Sequence, residues 1–185
     1  MSKTRIIEAV KQLDLESTKK LVQAKPSLLT VTDRQGRNLL HLACSASCKQ
    51  LKVSEALSAR MVNFLLDQGM DIESPVGRDK CTVLFFAVAR ARNLTLVKLL
   101  LKRGAKVNEA PGGGLFAAGW WEDLDILDVL IRAGAKIDII VGDTPFLGCW
   151  CVQHGASPDI PDNEGVSARL KASRKRDKRF YKALS

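Results

Sequence analysis

The sequence predicts an all-α fold assembled from repeated helix pairs. Three observations carry that prediction: a recurring phrase, a second pattern that precedes it each time, and a near-regular spacing between copies. The phrase reads LVKLLLKRGAKVN at 96–108, ILDVLIRAGAKID at 126–138 and, more loosely, MVNFLLDQGMDIE at 61–73. Self-similarity at such a period marks a repeat architecture, in which each unit buries its apolar face against its neighbours.

The phrase is a helix with its stop signal. Val97, Leu100 and Leu101 recur at the three- and four-residue steps of one helical face, widened by Leu96 and Leu99, while Lys98, Lys102 and Arg103 take the other side. Gly104 then closes the helix. A helix commonly ends through a left-handed residue, which costs a residue with a side chain ~1–2 kcal/mol and glycine far less. Gly69, Gly134 and Gly155 hold the equivalent place, and the aliphatics that follow (Ile72, Val107, Ile137) can tuck the chain under the helix.

What precedes each phrase also repeats. DRQGRNLLHLA (33–43) opens with Asp33 and Gly36 placed for a tight turn and continues into a short apolar segment. RDKCTVLFFAV (78–88), PGGGLFAAGWW (111–121) and DTPFLGC (143–149) carry related pieces, and DNEGVSARLKA (162–172) restarts the pattern. Each unit reads as a turn, a short first helix, and a second helix closed by glycine.

These residues resemble the ankyrin repeat, whose pattern is D-x-x-G-x-T-P-L-H-x-A-A, a short loop, and an aliphatic second helix ending in Gly-Ala. The matching residues are Asp33, Gly36, Leu40, His41 and Ala43 in one unit, and Thr82, Leu84 and Ala87 in the next. Leu115, Ala118, Thr144 and Pro145 follow, with Gly-Ala pairs at 104–105, 134–135 and 155–156. The resemblance covers nearly the whole chain. It implies an ankyrin-repeat solenoid of stacked helix-turn-helix units with protruding β-turn tips.

A single domain over 1–185 then divides into six stretches. A degenerate N-terminal capping repeat covers 1–32, a repeat with an inserted inter-helix loop 33–73, and further repeats 74–108 and 109–138. A shortened repeat covers 139–160 and a basic C-terminal cap 161–185. Met61 to Leu96 is 35 residues and Leu96 to Ile126 is 30, bracketing the ankyrin period of about 33. Leu40 to Leu84 is 44, and the surplus lies in CSASCKQLKVSEALSAR (44–60), placed as an extended loop. Thr144 to Gly155 is only 11. Either that repeat is truncated or residues are missing from the sequence there; the second reading is preferred, because a deletion would expose the aliphatic face of the preceding unit.

Composition bounds the rest. Hydrophobic residues make up 46% of the chain and aromatics 5%, which suits an aliphatic core. No apolar stretch is long enough to span a bilayer and no secretory leader is legible. The expectation is a cytoplasmic, monomeric protein without a membrane role, the nucleus also being open. The five cysteines lack paired zinc-ligand spacing and read as buried thiols; no metal or cofactor is implied. The net charge of +9 is concentrated at the end: from Arg169 onward, eight Lys or Arg face Asp177 alone, which leaves +2 for residues 1–168.

Function is expected in non-covalent binding. The turn tips place Arg34 and Arg37 in one unit and Arg78 and Lys80 in the next; the third tip, PGGG at 111–114, has almost no side chains. Trp120 and Trp121 fall on the ledge at the end of a first helix, either as a binding centre or packed beneath the inserted loop or the shortened unit. Arg90 falls near the same ledge one unit earlier. His41 fills the histidine place of the motif, where the resemblance implies hydrogen bonds between the backbone turns of neighbouring units. His154, before a Gly-Ala stop, suits a helix-end cation. Gly69, Gly104, Gly134, Thr144 and Pro145 are structural. Asn93-Leu94-Thr95 is a glycosylation sequon with little weight in the absence of a leader. No catalytic constellation emerges, so the chain reads as a non-enzymatic adaptor for a protein partner. The alternative is nucleic-acid or acidic-partner binding by the basic tail, including Arg174, Lys175 and Arg176.

Overall fold

The computed structural model describes residues 2–109, 113–136, 152–155, 157–159, 166–167, 169–170 and 173. The chain forms two compact units, Met1–Pro111 and Gly112–Ser185. Thr144, Pro145 and the basic triplet 174–176 lie outside the described residues, as do most of the shortened repeat and the C-terminal cap.

The first unit contains three helix pairs. Helix α1 (Lys3–Lys11) starts where the Ser2 hydroxyl accepts from the Arg5 N–H, and α2 (Leu15–Ala24) where Asp14 accepts from Ser17. Pro26 then opens a 3₁₀ turn over Pro26–Thr30 in place of a glycine stop. The second pair is α3 (Leu39–Ser45) and α5 (Glu55–Asp67), with the short α4 (Cys48–Leu51) between them. In the third pair, α6 (Val83–Phe86) runs into a π turn over Ala87–Ala91 and is followed by α7 (Leu94–Lys102). The first helices α1, α3 and α6 pack side by side, as do the second helices α2, α5 and α7. Ile6, Leu39, Leu40, Met61, Leu65, Leu96 and Leu100 fill the space between the rows, each fully buried; a fully buried Leu or Ile contributes roughly 1.5–3 kcal/mol.

In the second unit α8 (Gly113–Trp120) packs on α9 (Leu124–Arg132), over a core that includes Ala118, Ile126, Leu127 and Leu130. Because α8 begins at Gly113, Gly113 and Gly114 belong to a helix and not to a bare tip. Among the described residues there is no strand; isolated antiparallel bridges close the tips, Thr32 with Asn38 and Val76 with Cys81.

The second helices end alike. Gly104 has φ +91°; its N–H donates to the Leu101 carbonyl and that of Ala105 to the Leu100 carbonyl, satisfying acceptors that a helix end leaves open. Gly69 and Gly134 repeat the geometry at φ +83° and +86°.

The inter-helix loops share a second device. Leu13, Lys52, Arg92 and Glu122 all take left-handed φ between +50° and +55°. The cap of the following helix comes directly after Leu13, Arg92 and Glu122, as Asp14, Asn93 and Asp123; after Lys52 one residue intervenes before Ser54. The N–H groups of Asp14, Val53 and Asp123 each reach back five residues, to the carbonyls of Ala9, Cys48 and Ala118. Asn93 reaches back six, to Ala87. The third pair therefore has one residue more in this connection, and the π turn absorbs it.

The inserted stretch is more ordered than an extended loop. Ser47 caps α4, Ser54 caps α5, and residues 55–60 lengthen α5. Two bonds pin the insertion to the third pair: Asn93 Nδ2 donates to Cys48 Sγ at 3.5 Å, and the Thr95 N–H donates to Glu55 Oε2 at 3.3 Å. Asn93 is 1% exposed and its carbonyl oxygen caps α7 by accepting from Leu96, so the sequon asparagine is a structural cap.

Candidate functional site

The first tip is organised by Asp33. Its Oδ1 accepts from the N–H groups of Gln35 (2.8 Å) and Arg37 (3.0 Å), and Oδ2 takes the Arg37 guanidinium at 2.9 Å from Nε and 2.7 Å from Nη2. Burial pushes the Asp33 carboxyl up, but Arg37 and the two backbone donors outweigh it and hold it below the usual carboxylate range. Arg37 thus spends its fork within its own turn, whereas Arg34 and Gln35 at the apex are exposed.

The second tip closes through reciprocal bonds of 3.0 Å between Val76 and Cys81. Arg78, Asp79 and Lys80 are exposed on it, and neither Arg78 nor Lys80 has an ion-pair partner among the described residues. The two tips are neighbours: a Cβ at Gly36 would lie 3.8 Å from Val76 Cγ2. Arg90, exposed on the π turn, is close enough to Cys81 for its charge to favour the thiolate, although burial of Cys81 wins and raises the thiol. The structure thus places Arg34, Arg78 and Lys80 on two neighbouring tips, with Arg90 on the π turn of the same helix pair as the second.

Beneath the tips, Asn38 and His41 form a brace. Asn38 Oδ1 accepts from the His41 N–H (3.0 Å), which identifies it as the amide oxygen, so His41 Nδ1 at 2.7 Å carries the proton and donates to it. The bond that crosses to the next turn is Asn38 Nδ2 to Ser74 Oγ, 3.2 Å. The asparagine, which occupies the threonine place of the motif, thus adds a side-chain link between the turns, and the His41 ring also faces the backbone of Ser74 and Cys81. The Phe86 ring meets the imidazole edge-on with centroids 5.5 Å apart. His41 Nε2 is buried without a hydrogen bond of good geometry.

Burial lowers the His41 pKa, with Arg37 acting in the same sense; the backbone of Ser74 and Cys81 and the Asp33 charge oppose them and are outweighed. With the folded value depressed, the unfolded chain takes up the proton first as the pH falls. The stability contributed by neutral His41 is complete above about pH 6.5 and is lost as the pH drops toward the folded value. Urea unfolding at about pH 7.5 and about pH 5.5 will show a loss on acidification, and His41→Gln will flatten that slope. A slope unchanged in the variant would exclude His41 as its origin.

In the second unit Trp120 ends α8 and Trp121 begins the left-handed turn. They are 59% and 45% exposed, and Leu124, the first residue of α9, is 51% exposed. Three large apolar side chains thus face outward within five residues. Leu124 is not among the site residues read from the sequence; its adjacency to the Asp123 cap was the available signal.

Among the described residues no group of three His, Cys, Asp or Glu could hold a metal ion. Cys44 and Cys48 are buried free thiols, pushed up by desolvation, and the thiolate is the nucleophile. No described helix is long and apolar enough to cross a membrane. In the basic cap, Arg169 makes a two-pronged contact with Asp159, 2.6 and 3.0 Å.

A family model of ankyrin repeats matches three copies over residues 6–111, more than half the chain. Among solved structures, the crystal structure of an ankyrin repeat domain from Acinetobacter baumannii AYE is similar in fold, with a TM-score of 0.74 at 18% identity. The match covers 99% of this chain and 97% of that one. No curated protein matches significantly in sequence. The helix pairs, the tips and their glycine-closed second helices thus have the same explanation: the chain belongs to the ankyrin-repeat family.

Proposed function

We propose that the chain is a non-catalytic adaptor that binds a partner protein through two surfaces, the cationic tips of the first unit and the Trp120–Trp121–Leu124 corner of the second. Ankyrin repeats are generally protein–protein interaction modules, which sets the class. The observation that carries the reading is the exposure of both indoles beside a leucine. Large apolar side chains left in water in one place are a mark of binding surfaces, and Trp is enriched at their energetic centres. Arg34, Arg78 and Lys80 supply the charged contacts of the tip surface, and Arg37 holds the first tip in shape. A monomer in the cytoplasm fits this reading, and nucleic-acid binding by the tail is its alternative.

The test is affinity capture with the intact chain against two variants, Trp120→Ala/Trp121→Ala and Arg78→Glu/Lys80→Glu, each checked for unchanged circular dichroism. A partner retained by the intact chain and lost by both variants supports the two-surface reading. Retention by both overturns it. Loss governed instead by neutralising Arg174, Lys175 and Arg176, with a steep salt dependence, assigns binding to the tail.

A further inference from the structure

A groove of about 460 Å³ runs between α1 and the first tip. One wall is the stripe Lys3, Ile7 and Lys11, spaced by four residues and so aligned on one face of α1; Arg34 and Gln35 stand on the other side. Lys3, Lys11 and Arg34 are exposed and have no carboxylate partner among the described residues, while Asp33 in the groove wall is neutralised by Arg37. Ile7 is half-buried between the two lysines. The site is therefore three unpaired cations around one apolar patch.

Its dimensions select the ligand. Lys3 and Lys11 are ~12 Å apart along the helix axis at 1.5 Å per residue. That spacing suits an extended chain. In an extended chain residues i, i+2 and i+4 point the same way and span ~13 Å, matching the lysine–isoleucine–lysine stripe.

We infer that this groove takes an extended acidic segment of a partner protein, with a carboxylate on each side of a central apolar residue, two positions away in either direction. The inference rests on the tips being a binding surface and names the partner chemistry at the first of them. Lys3 and Lys11 meet the two carboxylates, Ile7 covers the apolar side chain, and Arg34 closes over the acidic strand. A nucleic acid is disfavoured: the groove has no aromatic side chain on which a base could stack, and three cations are a short track for a phosphate backbone.

The test is fluorescence anisotropy of the full chain with the fluorescein-labelled peptide GSESLSEGS. Binding is expected, to weaken with salt, to fall about tenfold when the central leucine is replaced by serine, and to vanish for GSKSLSKGS. Lys3→Glu/Lys11→Glu is expected to lower affinity at least about tenfold. Lys3→Gln/Lys11→Gln, which spares α1 a negative charge at its last turn, should fall between. Trp120→Ala/Trp121→Ala should bind the peptide as the intact chain does. No binding to the intact chain, equal binding by the lysine variants, or tighter binding of a labelled oligothymidylate that the same variants abolish would each overturn the inference. Capture that depends on Arg78, Lys80 and the tryptophans would persist in those cases, so the two readings fail separately.

Discussion

Replacing Leu65 by alanine will lower the unfolding free energy of the first unit by about 2–5 kcal/mol, because it removes buried methyl groups and leaves a cavity that packed helices close only in part. Leu65 is fully buried on α5, the helix that packs against α2, α3 and α7. Its loss is thus felt by both rows at once. The measurement is denaturant unfolding followed by far-ultraviolet circular dichroism. Tryptophan emission is the wrong readout for this unit, since Trp120, Trp121 and Trp150 all lie beyond residue 111. A loss below about 1 kcal/mol would show that α5 is not the packing centre that its burial indicates.

Asn93→Ala will cost about 2 kcal/mol, more than an exposed cap, which is typically worth ~1 kcal/mol. The excess arises because the side chain is buried and has two tasks: its oxygen caps α7 and its amide group donates to Cys48 in the insertion. Removal should loosen both ends of that bond. Thiol labelling of the folded protein will therefore accelerate at Cys48, identified by its absence in a Cys48→Ser background. Unchanged stability together with unchanged labelling would show that the insertion is held elsewhere, with the Glu55 contact to the α7 N-terminus as the remaining tie.

The second helices were legible because two signals coincide in them. An aliphatic stripe at helical spacing is followed by a glycine, and Gly69, Gly104 and Gly134 do take the left-handed φ that ends a helix. The loops before them were less legible. Leu13, Arg92 and Glu122 adopt left-handed backbone without being glycine, so nothing in their identity announces the turn; the Asp or Asn that follows each was the only clue. The insertion was visible as surplus length, but a four-residue helix has no periodicity to read, and only Ser47 and Ser54 as caps could have revealed it.

At the site, register put Trp120 and Trp121 on the ledge but left open whether they pack or face water, and the structure leaves both exposed. The capture of Arg37 by Asp33 did not follow from register, although an acid four residues before an arginine across a tight turn is a pairing that sequence can suggest. The groove on α1 was invisible for a different reason. It depends on Arg34 coming to stand opposite Lys3 and Lys11, and that juxtaposition is made by packing α1 on α3.

The π turn at Ala87–Ala91 separates two quantities that a regular helix would lock together, the number of residues in a repeat and its phase in the stack. The third pair has a supernumerary residue, yet Asn93 still arrives where α7 must begin and Leu96 still reaches the core. Length can therefore drift in a first helix without mis-threading every repeat downstream. The wide turn works as a slack link in an otherwise rigid chain, and it leaves Arg90 on the outside of the bend.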